Sequence, residues 1–253
     1  MRILFFISIL PVVLLLSMVY KKDNKKEPKN LLTKAFVFGL LSAIPIVIIE
    51  LLIGLIMPEN ITSHMFIFVN TFLCVGIIEE GFKWLVTKSI YRNKEFDETY
   101  DGIVYAVYAS LGFAAIENVL YVLTSGMGTG LLRALTAVPG HAFYAVIMGY
   151  YMGLAKMYKL QNDTSHEKKL LFIALLLPTL LHTLYDYLLI DFSIVSIIIW
   201  ILFVIINTVY SIMLIFKASK KNYDYHVKNT FCSNCGNNVQ DKNFCEVCGT
   251  KNE

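Results

Sequence analysis

Apolar residues gather into seven long runs along the chain, at about 3–20, 35–57, 65–88, 103–124, 131–155, 170–190 and 192–216. A helix crossing a bilayer needs roughly 20 mostly apolar residues, so each run predicts a membrane-spanning helix. The segments between the runs alternate in charge. Six lysines lie in 21–34, Lys88, Arg92 and Lys94 in 88–102, four lysines in 156–169, and six more in the tail from 217. Segments 58–64 and 125–130 and the turn at Asp191 carry no lysine or arginine. Altogether 19 of the 22 basic residues fall on one side of the expected bundle. The positive-inside rule makes that side cytoplasmic, with the N-terminus outside and the C-terminal tail inside. Only Arg2 precedes the first run, and no small-x-small cleavage site separates it from the lysines that come next. It is read as an uncleaved first helix rather than a signal peptide.

Composition agrees with that pattern. Of 253 residues, 57% are hydrophobic and 16% charged, and the mean hydropathy is +0.61. A soluble domain carries about a quarter charged residues, so an ordinary soluble enzyme is excluded, as is a disordered chain. The net charge of +3 gives no electrostatic footprint for nucleic acid. The expected fold class is an all-α polytopic membrane protein of about seven transmembrane helices plus a small C-terminal zinc ribbon. The expected place is the cell membrane, multi-pass.

Four of the five cysteines crowd into the tail as Cys232-x-x-Cys235 and Cys245-x-x-Cys248, each pair followed by glycine. Two such pairs can set four thiolates tetrahedrally around one structural Zn2+, and a reducing cytoplasm argues against disulfides. About 20 residues bury too little core to fold alone, so metal binding is expected to fold them. The chain therefore divides into a transmembrane domain at 1–216, a basic juxtamembrane linker at 217–230 and a zinc ribbon at 231–253.

Polar groups inside the apolar runs carry most of the functional information. A charge at the bilayer centre costs roughly 2.5–3.5 kcal/mol even on a lenient scale. The third run holds Glu79, Glu80 and Lys83, spaced so that Lys83 shares a face with both carboxylates. The fourth holds Phe113, Glu117 and Asn118, the fifth Pro139-Gly140-His141 with Arg133 near its outer end, and the sixth His182 and Asp186. At 1.5 Å per residue, Glu79, Glu117, His141 and His182 all fall in the middle of a core roughly 30 Å thick. Singly, each has a bland reading: a lone histidine bonds a neighbouring helix, Glu50 is wet, and Pro45, Pro139 and Pro178 kink helices. Together they cost too much for packing alone.

Imidazoles and a carboxylate can hold a catalytic zinc with one position open for water, while a further glutamate takes the proton. The HExxH spacing is absent, so the ligands would come from separate helices. A glutamate pair activating water without metal, and a proton relay in a transporter, use the same residue types.

On these residues the chain resembles the PrsW-type intramembrane proteases. Glu79-Glu80-Gly-Phe-Lys83 matches their EExxK motif, Phe113-Ala-Ala-Ile-Glu117-Asn118 their FxxxEN motif and His182-Thr-Leu-Tyr-Asp186 their HxxxD motif. His141 fits an additional family histidine. The resemblance covers roughly 35–216 and leaves the ribbon outside it. Type II CAAX prenyl proteases belong to the same wider group, and Lys83 and Glu117 place this chain on the PrsW side. The group also contains a non-catalytic gamma-secretase scaffold subunit, so a membrane scaffold displaying its ribbon to cytosolic partners is the alternative function.

The resemblance implies hydrolysis of a peptide bond in a membrane-associated protein, in the manner of regulatory cleavage of an anti-sigma factor. It implies Glu79 as the water-activating base, assisted by Glu80, with Lys83 holding the pair. His141 and His182 are then metal ligands with Glu117 as third, for Zn2+ or another divalent ion, and Asn118 and Asp186 support them or the oxyanion. Which glutamate is base and which is ligand stays open. The expected partners are the lipid bilayer, a membrane-protein substrate and, through the ribbon, a cytosolic protein.

Overall fold

The computed structural model describes residues 2–57, 63–190 and 193–220, with 247, 248 and 250. Eight α-helices form among them: α1 (Arg2–Lys22), α2 (Lys29–Ile56), α3 (His64–Thr71), α4 (Ile77–Tyr91), α5 (Thr99–Leu135), α6 (Ala137–Leu160), α7 (Thr164–Ile190) and α8 (Ile194–Lys220). No strand forms among the described residues. Five stretches are long and apolar enough to cross a membrane: Lys29–Ile56, His64–Tyr91, Thr99–Leu160, Thr164–Ile190 and Ile194–Ser219. The described residues thus form the helical body of a multi-pass membrane protein. The cysteines Cys232, Cys235 and Cys245 lie outside the described residues, and with them the expected ribbon. The expected linker begins inside α8 and otherwise lies outside them too.

Local sequence sets the element ends. The Glu98 side chain accepts the Asp101 backbone N–H, and the Asp101 carboxylate accepts the N–H of Glu98 at 2.6 Å and of Asp97 at 2.8 Å. This reciprocal cap satisfies donors at the start of α5 that have no partner within the helix. Pro28 lies just before α2, where its fixed φ suits the turn into a helix.

Helices α5 and α6 form the core, flanked by α1 and α2 on one side and α7 on the other. Their contact is backbone to backbone. A Cβ on Gly149 would collide with the Gly102 carbonyl, and one on Gly102 with the Gly149 carbonyl. Hydrocarbon supplies no hydrophobic drive between helices, so close approach through small residues is what holds such a pair.

Two departures from the expected helices matter for the site. The third apolar run is not one regular helix: a π-helical turn at Phe72–Gly76 joins α3 to α4. One extra residue in a turn rotates the rest of the helix by about 100°, and here it directly precedes Glu79 and Glu80. The second departure lies beyond the return expected at 125–130. Gly126 alone makes that return, with φ 83°, a value glycine tolerates without strain. The chain then runs helically through Leu135 and breaks again at Thr136 before α6.

Candidate active site

The Lys83 ammonium is the hub of the buried polar cluster. It donates to Glu79 Oε2 at 2.9 Å and to Glu80 Oε1 at 2.8 Å, and meets His141 Nδ1 at 3.1 Å. The Phe113 ring centre lies 4.5 Å from the same nitrogen, adding a cation–π contact. The lysine side chain is 1% exposed and the Glu80 side chain 1%. Removing one partner of so buried a pair typically costs about 3–5 kcal/mol, because the remaining charge is stranded.

The two histidines reach this hub from α6 and α7, and each is held from behind by a carboxylate. His141 Nε2 bonds Glu117 Oε2 at 2.8 Å, while its Nδ1 faces Lys83. His182 Nδ1 bonds Glu80 Oε1 at 2.9 Å and lies 3.9 Å from Glu79 Oε2. Its Nε2 lies 3.4 Å from Asp186 Oδ2, one helical turn along α7. Because Lys83 can only donate, His141 Nδ1 accepts, and His141 donates its Nε2–H to Glu117. The imidazoles of His141 and His182 meet edge to face at 5.2 Å, and Tyr144 stacks on His182 with ring centres 5.2 Å apart.

Of the residues expected at the site, Glu79, Glu80, Lys83, His141 and His182 share one cluster. Glu117 lies behind His141, and Asp186 behind His182. Asn118 turns away: it donates to the Ser8 carbonyl at 3.0 Å and accepts from Arg133 Nε at 3.3 Å. Sequence reasoning left out Tyr144, and it named Arg133 and Glu50 without giving either a role at the site. Arg133 ion-pairs with Glu117 Oε2 at 2.8 Å, and an arginine inside an apolar run was its available signal. Glu50 lines the same cavity as Glu79, His182 and Asp186, although read alone it looked like a wet residue. Nothing in the spacing marked Tyr144.

That cavity has a volume of about 630 Å3. Its walls are largely apolar, from Val47, Ile53, Leu120, Leu132 and Leu189, and its polar floor holds Glu79, Glu117, His141 and His182.

The donor set fits a divalent ion. One ligand atom each from Glu79, Glu80, His141 and His182 lie within 4.8 Å of one another, and all four residues are buried. Glu80 Oε2 is buried and receives no hydrogen bond, and a bare carboxylate oxygen at that depth is what a cation would satisfy.

Comparison with known proteins agrees with this constellation. Residues 27–213 match the family described as "PrsW family intramembrane metalloprotease". The Protease PrsW of Oceanobacillus iheyensis is 43% identical over 187 residues, covering 74% of this chain and 82% of that protein. The chain belongs to the PrsW family. It is an intramembrane protease. The Protease PrsW of Bacillus subtilis is 39% identical over 72% of this chain and 80% of its own length, and that of Clostridioides difficile 32% over 74% and 79%. No solved structure matches the chain. The family membership favours the protease over the scaffold.

Proposed function

We propose that the chain is a zinc-dependent protease whose site is built by α4, α6 and α7, and that it cleaves a membrane-protein substrate within the bilayer. The observation that carries this reading is the paired arrangement of the histidines. Each turns Nδ1 into the Glu79–Glu80–Lys83 cluster, His141 onto Lys83 and His182 onto Glu80, and rests Nε2 against an outer carboxylate, Glu117 or Asp186. Metal-binding histidines use their second nitrogen in this way to fix the ring and its tautomer.

His141 Nδ1, His182 Nδ1 and one carboxylate of the Glu79–Glu80 pair would hold the ion. When bound, it supplies a Lewis acid for the scissile carbonyl and water of lowered pKa. Glu80 is the better ligand, since it bonds His182 and keeps one bare oxygen. Glu79 borders the cavity and is the residue that takes the proton of the attacking water and passes it to the leaving amine. Lys83 keeps two neighbouring carboxylates compatible at this depth. Glu117 and Asp186 orient the imidazoles rather than bind metal, and Tyr144 fixes the plane of His182. The apolar cavity walls receive an extended stretch of a substrate's membrane segment.

The remaining elements complete the reading. All seven apolar runs span the bilayer, with the basic segments and the tail in the cytoplasm. The tail folds as a zinc ribbon on Cys232, Cys235, Cys245 and Cys248 and displays itself to a cytosolic protein. The substrate is a membrane-anchored regulator of the anti-sigma-factor kind.

The test is cleavage of a membrane-anchored reporter panel by the full-length chain with Glu79→Gln or His182→Ala. Both substitutions are expected to lower the rate at least about 1,000-fold, equivalent to about 4 kcal/mol of barrier, while the proteins remain folded and membrane-inserted. A folded Glu79→Gln protein that cleaves at the wild-type rate would overturn the assignment.

A further inference from the structure

The tie between Arg133 and Glu117 sits at an unusual place in the fold. Residues 127–135 form a short helical segment bounded by two backbone breaks, Gly126 with φ 83° and Thr136 with φ −125° and ψ −69°. Two of its leucines face outward: Leu131 is 51% exposed and Leu135 77%, so in a membrane they meet lipid. Arg133 is the cationic side chain of this segment, and it points the other way. Its Nη2 ion-pairs with Glu117 Oε2 at 2.8 Å without hydrogen-bond alignment, its Nε donates to Asn118 Oδ1 at 3.3 Å, and its carbon centre lies 3.9 Å from the Tyr121 ring centre. Glu117 Oε2 is the same oxygen that receives His141 Nε2 at 2.8 Å. A continuous chain therefore runs from the lipid-facing segment through Arg133 and Glu117 to His141, and on to Lys83 at 3.1 Å.

We infer that Arg133 is a positioning residue, which holds Glu117 in place to orient His141 and so makes assembly of the active site depend on the seating of segment 127–135. The physical reason is electrostatic and positional. A carboxylate with one partner can swing about its side-chain torsions, whereas a cation 2.8 Å from Oε2, itself held by the Nε–H bond to Asn118 and by the Tyr121 ring face, restricts that swing. Glu117 then presents a fixed acceptor, and the ring that donates to it presents a fixed Nδ1. Without Arg133, Glu117 keeps a single strong partner and the plane of His141 is no longer determined from behind. A two-ended segment is also a suitable point of coupling. Its seat can change by rotation at Gly126 and Thr136 without disturbing the body of α5 or α6.

This inference rests on the reading of His141 as a metal ligand, and the experiment separates the two. Zn2+ affinity is measured by chelator competition on the full-length chain with its four tail cysteines changed to serine. The compared forms add no further change, Arg133→Gln, Arg133→Lys, Glu117→Gln or both glutamine changes. Reporter cleavage by the same proteins gives kcat and KM. Arg133→Gln is expected to weaken Zn2+ binding about 10- to 100-fold, the usual effect of losing a group behind a ligand, and to lower kcat with KM unchanged. Arg133→Lys is expected to recover part of both. The double variant is expected to be no worse than Glu117→Gln alone, because both changes break one chain. Wild-type affinity and kcat in Arg133→Gln would overturn the inference, as would additive losses in the double variant. Absence of Zn2+ binding in the form without further changes would overturn the metal reading instead, and the kcat comparison of single and double variants would still decide the role of Arg133.

Discussion

The two ends of the helical bundle are built on opposite principles. Toward the basic loops, α5 and α6 approach backbone to backbone through Gly102 and Gly149. Large side chains there are wholly enclosed: Tyr91, Phe96, Tyr100, Tyr105, Ile147 and Met152 are each at most 2% exposed. Toward the other end the helices part around the cavity. The last turns of α2 stand nearly bare, with Leu55 81% and Ile56 79% exposed. The packed end fixes the relative position of α5 and α6, and the open end uses that rigidity to hold Glu117 and His141 from those same helices in register. A protease working inside a bilayer needs both. The scaffold must be stiff enough to hold a site to within fractions of an ångström, and open enough for a substrate segment to arrive from lipid.

The largest effect is expected at the packed end. Gly149→Val places branched carbons against the Gly102 carbonyl, a contact that no rotamer relieves. Overpacking typically costs about 1–3 kcal/mol, and a clash with backbone belongs at the upper end. Thermal unfolding of the detergent-solubilised chain is expected to shift sharply downward, with activity lost because the fold is lost. A Gly149→Val protein with wild-type unfolding temperature would show that the two helices do not pack as tightly as the geometry states.

The open end is expected to respond in the reverse sense. Asp186→Asn keeps the shape of the side chain behind His182 but removes the charge 3.4 Å from Nε2. About 10- to 100-fold is expected to be lost in cleavage rate or metal affinity, with the unfolding temperature close to that of wild type. A matching loss of stability would mean that Asp186 belongs to the packing and not to the chemistry, and the contrast between the two ends would weaken.

Much of this contrast was legible in the sequence, and the part that was not has physical causes. Hydrophobic runs and loop charges report burial in lipid, and each run overlaps a helix, although they miss ends of α2, α6 and α7 by about six residues and the continuation of α5 to Leu135. Glu79, Glu80 and Lys83 are local in sequence, three and four apart, so their shared face followed from helical spacing alone. His141 and His182 were visible as expensive groups at matching depth. Which face of each helix meets which neighbour is a long-range property, and it decided the rest. The π-helical turn before Glu79 changes helix phase by one residue, and hydropathy does not register that. Tyr144 matters through stacking on His182, a contact between helices that an isolated tyrosine in an apolar run does not announce. Arg133 was visible, but its partner Glu117 lies on the far side of the Gly126 return.

The smallest expected effect belongs to the packed end and sharpens what closes it. Glu27, in the segment between α1 and α2, is 4% exposed and is hydrogen-bonded by the Tyr105 hydroxyl. Burial pushes its carboxyl up to about 7, with the neighbouring charges of Asp23 and Asp97 adding to the rise and the hydrogen bonds from Tyr105 and Asp101 opposing it. The sign comes from linkage. The neutral carboxyl is favoured more in the folded chain than in the unfolded one. Its contribution is therefore complete below the ordinary glutamate pKa of 4.5 and is lost as pH rises through about 7. Glu27→Gln, which is neutral at every pH, is expected to remove that slope. Between pH 5 and pH 8 the wild-type chain should lose about 1 kcal/mol more stability than the variant, the full linkage value being reduced by solvent screening. Unfolding temperatures of the two proteins across that range check it. Parallel pH curves would overturn the assignment of the buried proton to Glu27.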